Sequence, residues 1–328
     1  MKIFGIGFSG YVGDGVATKL LADGHILTGL ARSQTAAELL REKGITPVMG
    51  AIADAEIIHK TAKEADAALL LCTGGFMTEI LGQEQQYVDC VEALISAFEW
   101  TGKPLMQIGG LALWAGKTPE DVGVLHESSP FNTSNWYAEI LPGYDKVQSS
   151  NSRGVRGFTL LPGQVYGRGG GYIGPLPRRF EDFRKNGAIH YLDNSAGRLL
   201  STHIDDLASA VALGLVKAGA GERYIVITDD CDNLTLCKMV SRVCGLDGQL
   251  SYVDKETLEK KCGWAGQWDF NIHARANSDK ISRELGWKSQ GLGLVAELQR
   301  LIDEKVNVDD IYPMKSRQKT LENLEIFD

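Results

Sequence analysis

Residues 2–31, KIFGIGFSGYVGDGVATKLLADGHILTGLA, decide the fold. They open on a short apolar run, Lys2 to Ile6, bounded by glycine, which reads as a buried strand. The loop Gly7-Phe8-Ser9-Gly10-Tyr11-Val12-Gly13 follows, and Val16, Leu20 and Leu21 then keep helical spacing until Asp23-Gly24 stops the helix. Residues 26–31 read as a second strand. A glycine loop between a strand and a helix has a definite use. Gly7 and Gly10 let the backbone approach a pyrophosphate, and Gly13 lets the helix lie against the strand. The helix N-terminus turns free N–H groups and a positive dipole end toward phosphate. The candidate cofactor contacts are therefore Gly7, Ser9, Gly10, Tyr11, Val12 and Gly13. At the end of the second strand stand Arg32 and Ser33, where an acidic residue would bond the ribose hydroxyls of NAD. Arg32 suits a 2′-phosphate, with Ser33 adding a hydrogen bond, so the loop favours NADP(H).

Outward from this unit the same alternation continues. The pattern predicts a helix over 35–42, a strand over 46–49, a helix over 57–65 and a fully apolar strand over 67–71. A helix over 87–100, a strand over 104–108, a helix over roughly 137–151 and a strand over 157–161 follow. Unbroken apolar strands between helices mean α/β, a doubly wound parallel sheet covered on both faces. From about residue 166 the pattern changes, with helices over 178–185, 207–216, 234–244, 255–261, 278–285 and 292–304 and a strand over 224–228. Residues 1–165 are assigned to a dinucleotide-binding domain to which 201–228 return. Residues 166–200 and 229–328 are assigned to a smaller mixed substrate lobe.

Composition narrows the function. The 328 residues carry 34 Lys and Arg against 42 Asp and Glu, a net charge of −8, which argues against a nucleic-acid surface. No apolar run approaches the ~20 residues needed to span a bilayer. The N-terminus enters a strand directly, which leaves no room for a signal peptide and predicts a cytoplasmic protein. Cys72, Cys90, Cys231, Cys237, Cys244 and Cys262 form no C-x-x-C, and the six histidines are scattered, so reduced, mostly buried thiols and no metal site are expected.

The run GFSGYVGDGVATKLLADGHILTGLARS resembles the opening of an extended or atypical short-chain dehydrogenase/reductase, of the NAD(P)-dependent epimerase/dehydratase superfamily. The likeness continues at Ala65-Asp66-Ala67, at Leu161-Pro162-Gly163-Gln164-Val165-Tyr166-Gly167, and at Ser201-Thr202-His203-Ile204-Asp205-Asp206-Leu207-Ala208. Ser278-Asp279-Lys280 with Leu285-Gly286-Trp287 resembles the C-terminal signature. The resemblance implies a Rossmann-type domain, a C-terminal lobe closing over the nicotinamide, and cofactor contacts from Thr73, Gly74, Pro162 and Val165. The sequence departs from the family in three places. Gly109-Gly110 stand where the family has a catalytic Ser or Thr, Ala51 stands where an Asp often lies near the adenine, and Tyr-x-x-x-Lys is absent.

The remaining candidates for proton transfer are Tyr144, with Lys146 two residues on, and Tyr137 in reserve. On a regular helix Tyr144 and Lys146 would point about 200° apart, but Pro142-Gly143 could delay the helix and bring them together. His203-Ile204-Asp205-Asp206 reads as structural, with Asp205 or Asp206 capping the next helix and His203 fastening the lobe. Arg178, Arg179, Arg184 and Lys185 read as a solvated helix face in preference to a phosphate site. Trp264, Trp268 and Phe270 are either core or the lining of an apolar substrate pocket. These features predict an NADP(H)-dependent oxidoreductase passing hydride to a small, non-nucleotide carbonyl or imine. The alternatives are a non-catalytic NADP(H)-binding sensor and a non-redox epimerase or lyase. The expected partner is a small-molecule substrate, and a homodimer is left open.

Overall fold

In a computed structural model the described residues are 1–72, 84–114, 124–133, 140–169, 175–192, 197–254, 256–257 and 275–311. The strands in the first half are β1 (Lys2–Ile6), β2 (Ile26–Ala31), β3 (Thr46–Met49), β4 (Ala67–Leu70), β5 (Pro104–Ile108), the short β6 (Val124–Leu125) and β7 (Arg156–Pro162). Beyond them lie β8 (Gln164–Tyr166), β9 (His190–Tyr191), β10 (Arg198–His203), β11 (Glu222–Val226), β12 (Asp229–Asp232), β13 (Ser251–Tyr252) and β14 (Arg275–Ala276). Seven of them form one sheet in the order β11-β7-β5-β4-β1-β2-β3, parallel throughout. The order reverses between β1 and β4, and in open α/β sheets ligands bind at the strand ends beside that switch point.

The apolar alternation within each strand feeds two cores. Ile3 and Leu27 face α1 (Tyr11–Ala22), α2 (Gln34–Glu42) and, later in the chain, Leu207 and Val211. Phe4 and Ile6 face α3 (Ala55–Lys63), α4 (Glu84–Phe98) and α5 (Leu141–Ser149), which supply Ile58, Leu94 and Val147. β5 is buried at every position, as a central strand covered on both faces must be.

The rest of the chain is α6 (Pro175–Asn186), α7 (Ile204–Lys217), α8 (Asn233–Val243), α9 (Asp279–Leu285) and α10 (Leu294–Asp303), with small sheets β12-β10-β8, β13-β9 and β14-β6. Phe180, Leu236, Leu294 and Leu298 build a third core here. α7 packs on α1, where a Cβ on Gly15 would come within 2.3 Å of Ile204. Of the returning stretch 201–228, α7 and β11 join the large sheet and its helices, whereas β10 pairs with β8 and β12.

No helix among the described residues is long and apolar enough to cross a membrane. Cys90, Cys231 and Cys237 are buried and Cys72 and Cys244 partly so, all as free thiols. Burial pushes the thiols of Cys72, Cys231 and Cys244 up to about 12, which leaves them protonated and inert at neutral pH. Cys262, Trp264, Trp268, Phe270 and the tail after Pro313 lie outside the described residues.

Candidate dinucleotide and catalytic site

The loop after β1 owes its shape to Phe8. Its ring lies against Gly5, where a Cβ would come within 2.1 Å, and this turns Ser9 and Gly10 out to the surface. Gly7 has φ +106°, a backbone that L side chains rarely adopt. Gly13 is forced by packing, since a Cβ there would sit 1.9 Å from the Gly7 carbonyl oxygen. Gly10 is different: the nearest atom to a Cβ would be the same oxygen at an ordinary 3.4 Å. Gly10 is also the N-cap of α1 and brings no side-chain cap to its first turn, which begins at Tyr11. A pyrophosphate suits a helix start that has no side-chain cap and has Ser9 and Gly10 exposed beside it.

Arg32 and Ser33 are exposed beside it. Ile6 pairs with Leu30, so the glycine loop and Arg32 leave neighbouring strands at the same level, roughly 5 Å apart. Ser33 also caps α2, its Oγ accepting from the Ala36 amide at 3.2 Å while its proton stays available to a ligand. At the end of β3, the Asp54 carboxylate accepts from the Ala51 amide at 2.6 Å, so the acid three residues on shapes the loop that Ala51 occupies. Thr73 and Gly74 lie outside the described residues. Pro162 ends β7, and Val165, partly buried, lies in β8.

The loop after β5 holds the chemical question. Tyr144 is buried, at 1% exposure, and its hydroxyl donates to the Ile108 carbonyl at 2.8 Å, at the very end of β5. A Cβ on Gly109 would meet the Tyr144 ring at 2.9 Å and its hydroxyl at 3.1 Å, so this glycine exists to admit the tyrosine. Gly110 is open, with nothing nearer to a Cβ than 3.8 Å.

α5 is a regular helix from Leu141, with Pro142 in its first turn, where a missing N–H costs nothing. The looser turn that would bring Tyr144 and Lys146 together therefore does not form. Lys146 points across to α4 and pairs with Glu92 at 2.8 Å, which also binds Arg153. Tyr137 lies outside the described residues.

Two sequence expectations need correction. His203 itself caps α7, its Nδ1 accepting from the Asp205 amide at 3.2 Å. Asp206 is buried and clamps the C-terminal segment, accepting from the hydroxyls of Thr228 and Ser289 at 2.7 Å and the amides of Gln290 and Gly291 at 2.8 and 3.0 Å. The basic residues of α6 are not one solvated face. Arg179 is buried and donates to Asn233 at 3.1 Å, while Arg184 donates to the carbonyls of Val308 and Ile311.

A family model described as the NAD dependent epimerase/dehydratase family matches residues 3–227. The chain belongs to that family. An uncharacterized protein of Saccharomyces cerevisiae is 26% identical over 313 residues, covering 91% of this chain and 98% of the relative. A dTDP-glucose 4,6-dehydratase of Mycobacterium tuberculosis is 23% identical over 282 residues, covering 80% of this chain and 85% of the relative. The structure of a Bacillus anthracis dTDP-glucose 4,6-dehydratase in complex with NAD superposes with a TM-score of 0.72 at 15% identity, covering 95% of this chain and 98% of the other. That likeness is one of fold, in keeping with the strand order and the second lobe described above. Among the described residues no group of three His, Cys, Asp or Glu side chains gathers to hold a metal.

Proposed function

We propose that the chain is an NADP(H)-dependent oxidoreductase acting on a small, non-nucleotide carbonyl or imine. The observation that carries this reading is the pairing of the glycine loop with exposed Arg32 and Ser33 at the same sheet level. Gly7, Ser9, Gly10 and the amides of Tyr11, Val12 and Gly13 would hold the pyrophosphate, and Arg32 with Ser33 the 2′-phosphate. Thr73, Gly74, Pro162 and Val165 would line the nicotinamide end. The bound cofactor supplies hydride.

The protein's own part is positioning and proton supply. Tyr144 is the candidate proton donor, held at the end of β5 by the Ile108 carbonyl. Lys146 does not aid its ionisation, because it is committed to Glu92. A neutral phenol is a weak acid, which suits a substrate that needs little help, such as an imine that arrives protonated. The Gly109 amide donates to the Leu160 carbonyl at 2.7 Å, so only Gly110 is left to offer a main-chain amide in place of a hydroxyl. Support for a non-nucleotide substrate comes from α6, whose Arg179 and Arg184 are engaged with Asn233 and with the Val308 and Ile311 carbonyls.

The burial of Tyr144 and the diversion of Lys146 also favour a second reading, a sensor that binds NADP(H) without turning it over. Net consumption of NADPH with a panel of aldehydes, ketones and cyclic imines decides between them. Stoichiometric oxidation with any member supports the oxidoreductase. Tight NADPH binding with no net oxidation across the panel favours the sensor, and substrate conversion without net oxidation points to an epimerase or lyase.

A further inference from the structure

Tyr11 does two things at once. Its backbone amide belongs to the first turn of α1, at the mouth of the glycine cradle, and its side chain leaves in another direction. The hydroxyl donates to the carbonyl of Gly167 at 2.8 Å, a contact between residues 156 apart in sequence. Gly167 follows β8, just beyond the Pro162–Val165 segment, so the bond runs from the loop after β1 to the loop where the second lobe begins. β1 belongs to the large sheet and β8 to the separate sheet β12-β10-β8, so the contact ties the start of α1 to the loop that leaves the small sheet.

The far end of this contact is built to stay in place. Gly167 has φ +105°, and a Cβ on it would come within 2.6 Å of the His203 ring. His203 is fixed by the Asp205 amide and by an edge-on contact with Tyr166, ring centroids 5.3 Å apart. Arg168 is held at φ +53° and pairs with Asp205. Glycine is the residue for such a position, and an arginine held there marks a loop whose shape is imposed by its surroundings. A fixed carbonyl on one lobe and a hydroxyl rooted in the cofactor loop on the other make a specific two-point tie.

We propose that the Tyr11–Gly167 hydrogen bond is a clasp across the cofactor crevice, so that a dinucleotide enters and leaves only when it opens. Tyr11 is a positioning residue here, coupling the phosphate loop to the second lobe. The proposal rests on the assignment of the glycine loop as a dinucleotide site.

The test is stopped-flow fluorescence of NADPH binding and release by the wild-type protein and by Tyr11→Phe, which keeps the ring and removes the hydroxyl that makes the bond. Both the association and the dissociation rate should rise by about 3- to 10-fold, the range one neutral hydrogen bond supplies, while the equilibrium constant moves far less. Amide exchange across residues 167–169 of the cofactor-free variant should rise as well. Unchanged rates overturn the clasp. A faster release with unchanged association also overturns it, because that is the signature of a direct contact to the ligand. A fall in melting temperature alone marks a merely structural bond and overturns it too. Failure of the wild-type protein to bind NADPH or NADH overturns the cofactor assignment itself, an outcome read before any variant is made.

Discussion

The loops after β1 and after β5 are both glycine turns at the same edge of one sheet, and each has one glycine that packing demands and one that packing ignores. After β1 the demanded residue is Gly13, which would strike the Gly7 carbonyl at 1.9 Å, and the open one is Gly10. After β5 the demanded residue is Gly109, crowded by Tyr144 and Leu161, and the open one is Gly110. The difference lies in what each opening faces. Gly10 opens at the N-terminus of α1, a place suited to an anion, whereas Gly110 opens at the end of β5, where the sequence has glycine and no hydroxyl. A closely packed glycine, or one at positive φ such as Gly24, is explained by the fold, and an open one at ordinary φ calls for a ligand or for a lost function.

The largest effects should come from the first loop. Gly10→Val should abolish binding of NADPH and NADH and leave the urea unfolding midpoint near wild type. Gly13→Val should destabilise the fold by about 3 kcal/mol or more, because both clashing partners are backbone. If Gly10→Val binds NADPH normally, or if the two variants lose stability equally, the distinction between the two glycines fails.

The second loop should give a smaller, purely kinetic effect. Tyr144→Phe should lower kcat by about 10²- to 10⁴-fold, roughly 3–5 kcal/mol of barrier, with NADPH affinity unchanged. The side chain is buried, so circular dichroism and a melting curve must accompany the assay. Full activity in Tyr144→Phe and in Tyr137→Phe would remove the tyrosine acid and leave solvent or substrate as the proton source.

The smallest effect concerns Lys146, the residue that does not join the site. Its hydrogen bond holds the Glu92 carboxyl below its ordinary value, against the opposing effect of burial and with help from Arg153. A lowered carboxylate stabilises the fold at neutral pH, and the contribution disappears as pH falls through that lowered value. The pair is well exposed, so it is worth about 0.2–1 kcal/mol. Glu92→Gln should lose that much at pH 7, judged by urea unfolding, and should converge with wild type in acid. Loss of NADPH turnover in Lys146→Ala with the fold intact would contradict the geometry and return Lys146 to the catalytic centre.

Much of this was legible in the chain. β2 and β5 begin and end where the apolar runs do, because a buried parallel strand has no polar alternation to blur it. The glycine loop was legible since φ +106° at Gly7 and the close approach at Gly13 admit almost no other residue. The second lobe was harder. Its strands β9, β13 and β14 are two residues long and carry no period, and Arg184 looks solvated until the C-terminal segment folds over it. His203 as a helix cap and Asp206 as a clamp depend on partners that spacing does not reveal, with Gln290 and Gly291 lying 84 and 85 residues beyond Asp206. The direction of Lys146 was conditional on whether Pro142 would start the helix or delay it, and a proline in the first turn starts it.

The central claim is that the cradle at β1 and the arginine at β2 form one site for a phosphorylated dinucleotide. Calorimetric titration of wild type and Arg32→Ala with NADPH and with NADH tests it directly. A charge-assisted contact to the 2′-phosphate is worth about 1.5–3 kcal/mol, so the account predicts tighter NADPH than NADH binding by wild type. It predicts a loss of roughly 10- to 150-fold in NADPH affinity for the variant, with NADH affinity barely changed. Tighter NADH binding by wild type, or equal losses for both cofactors in the variant, would contradict it.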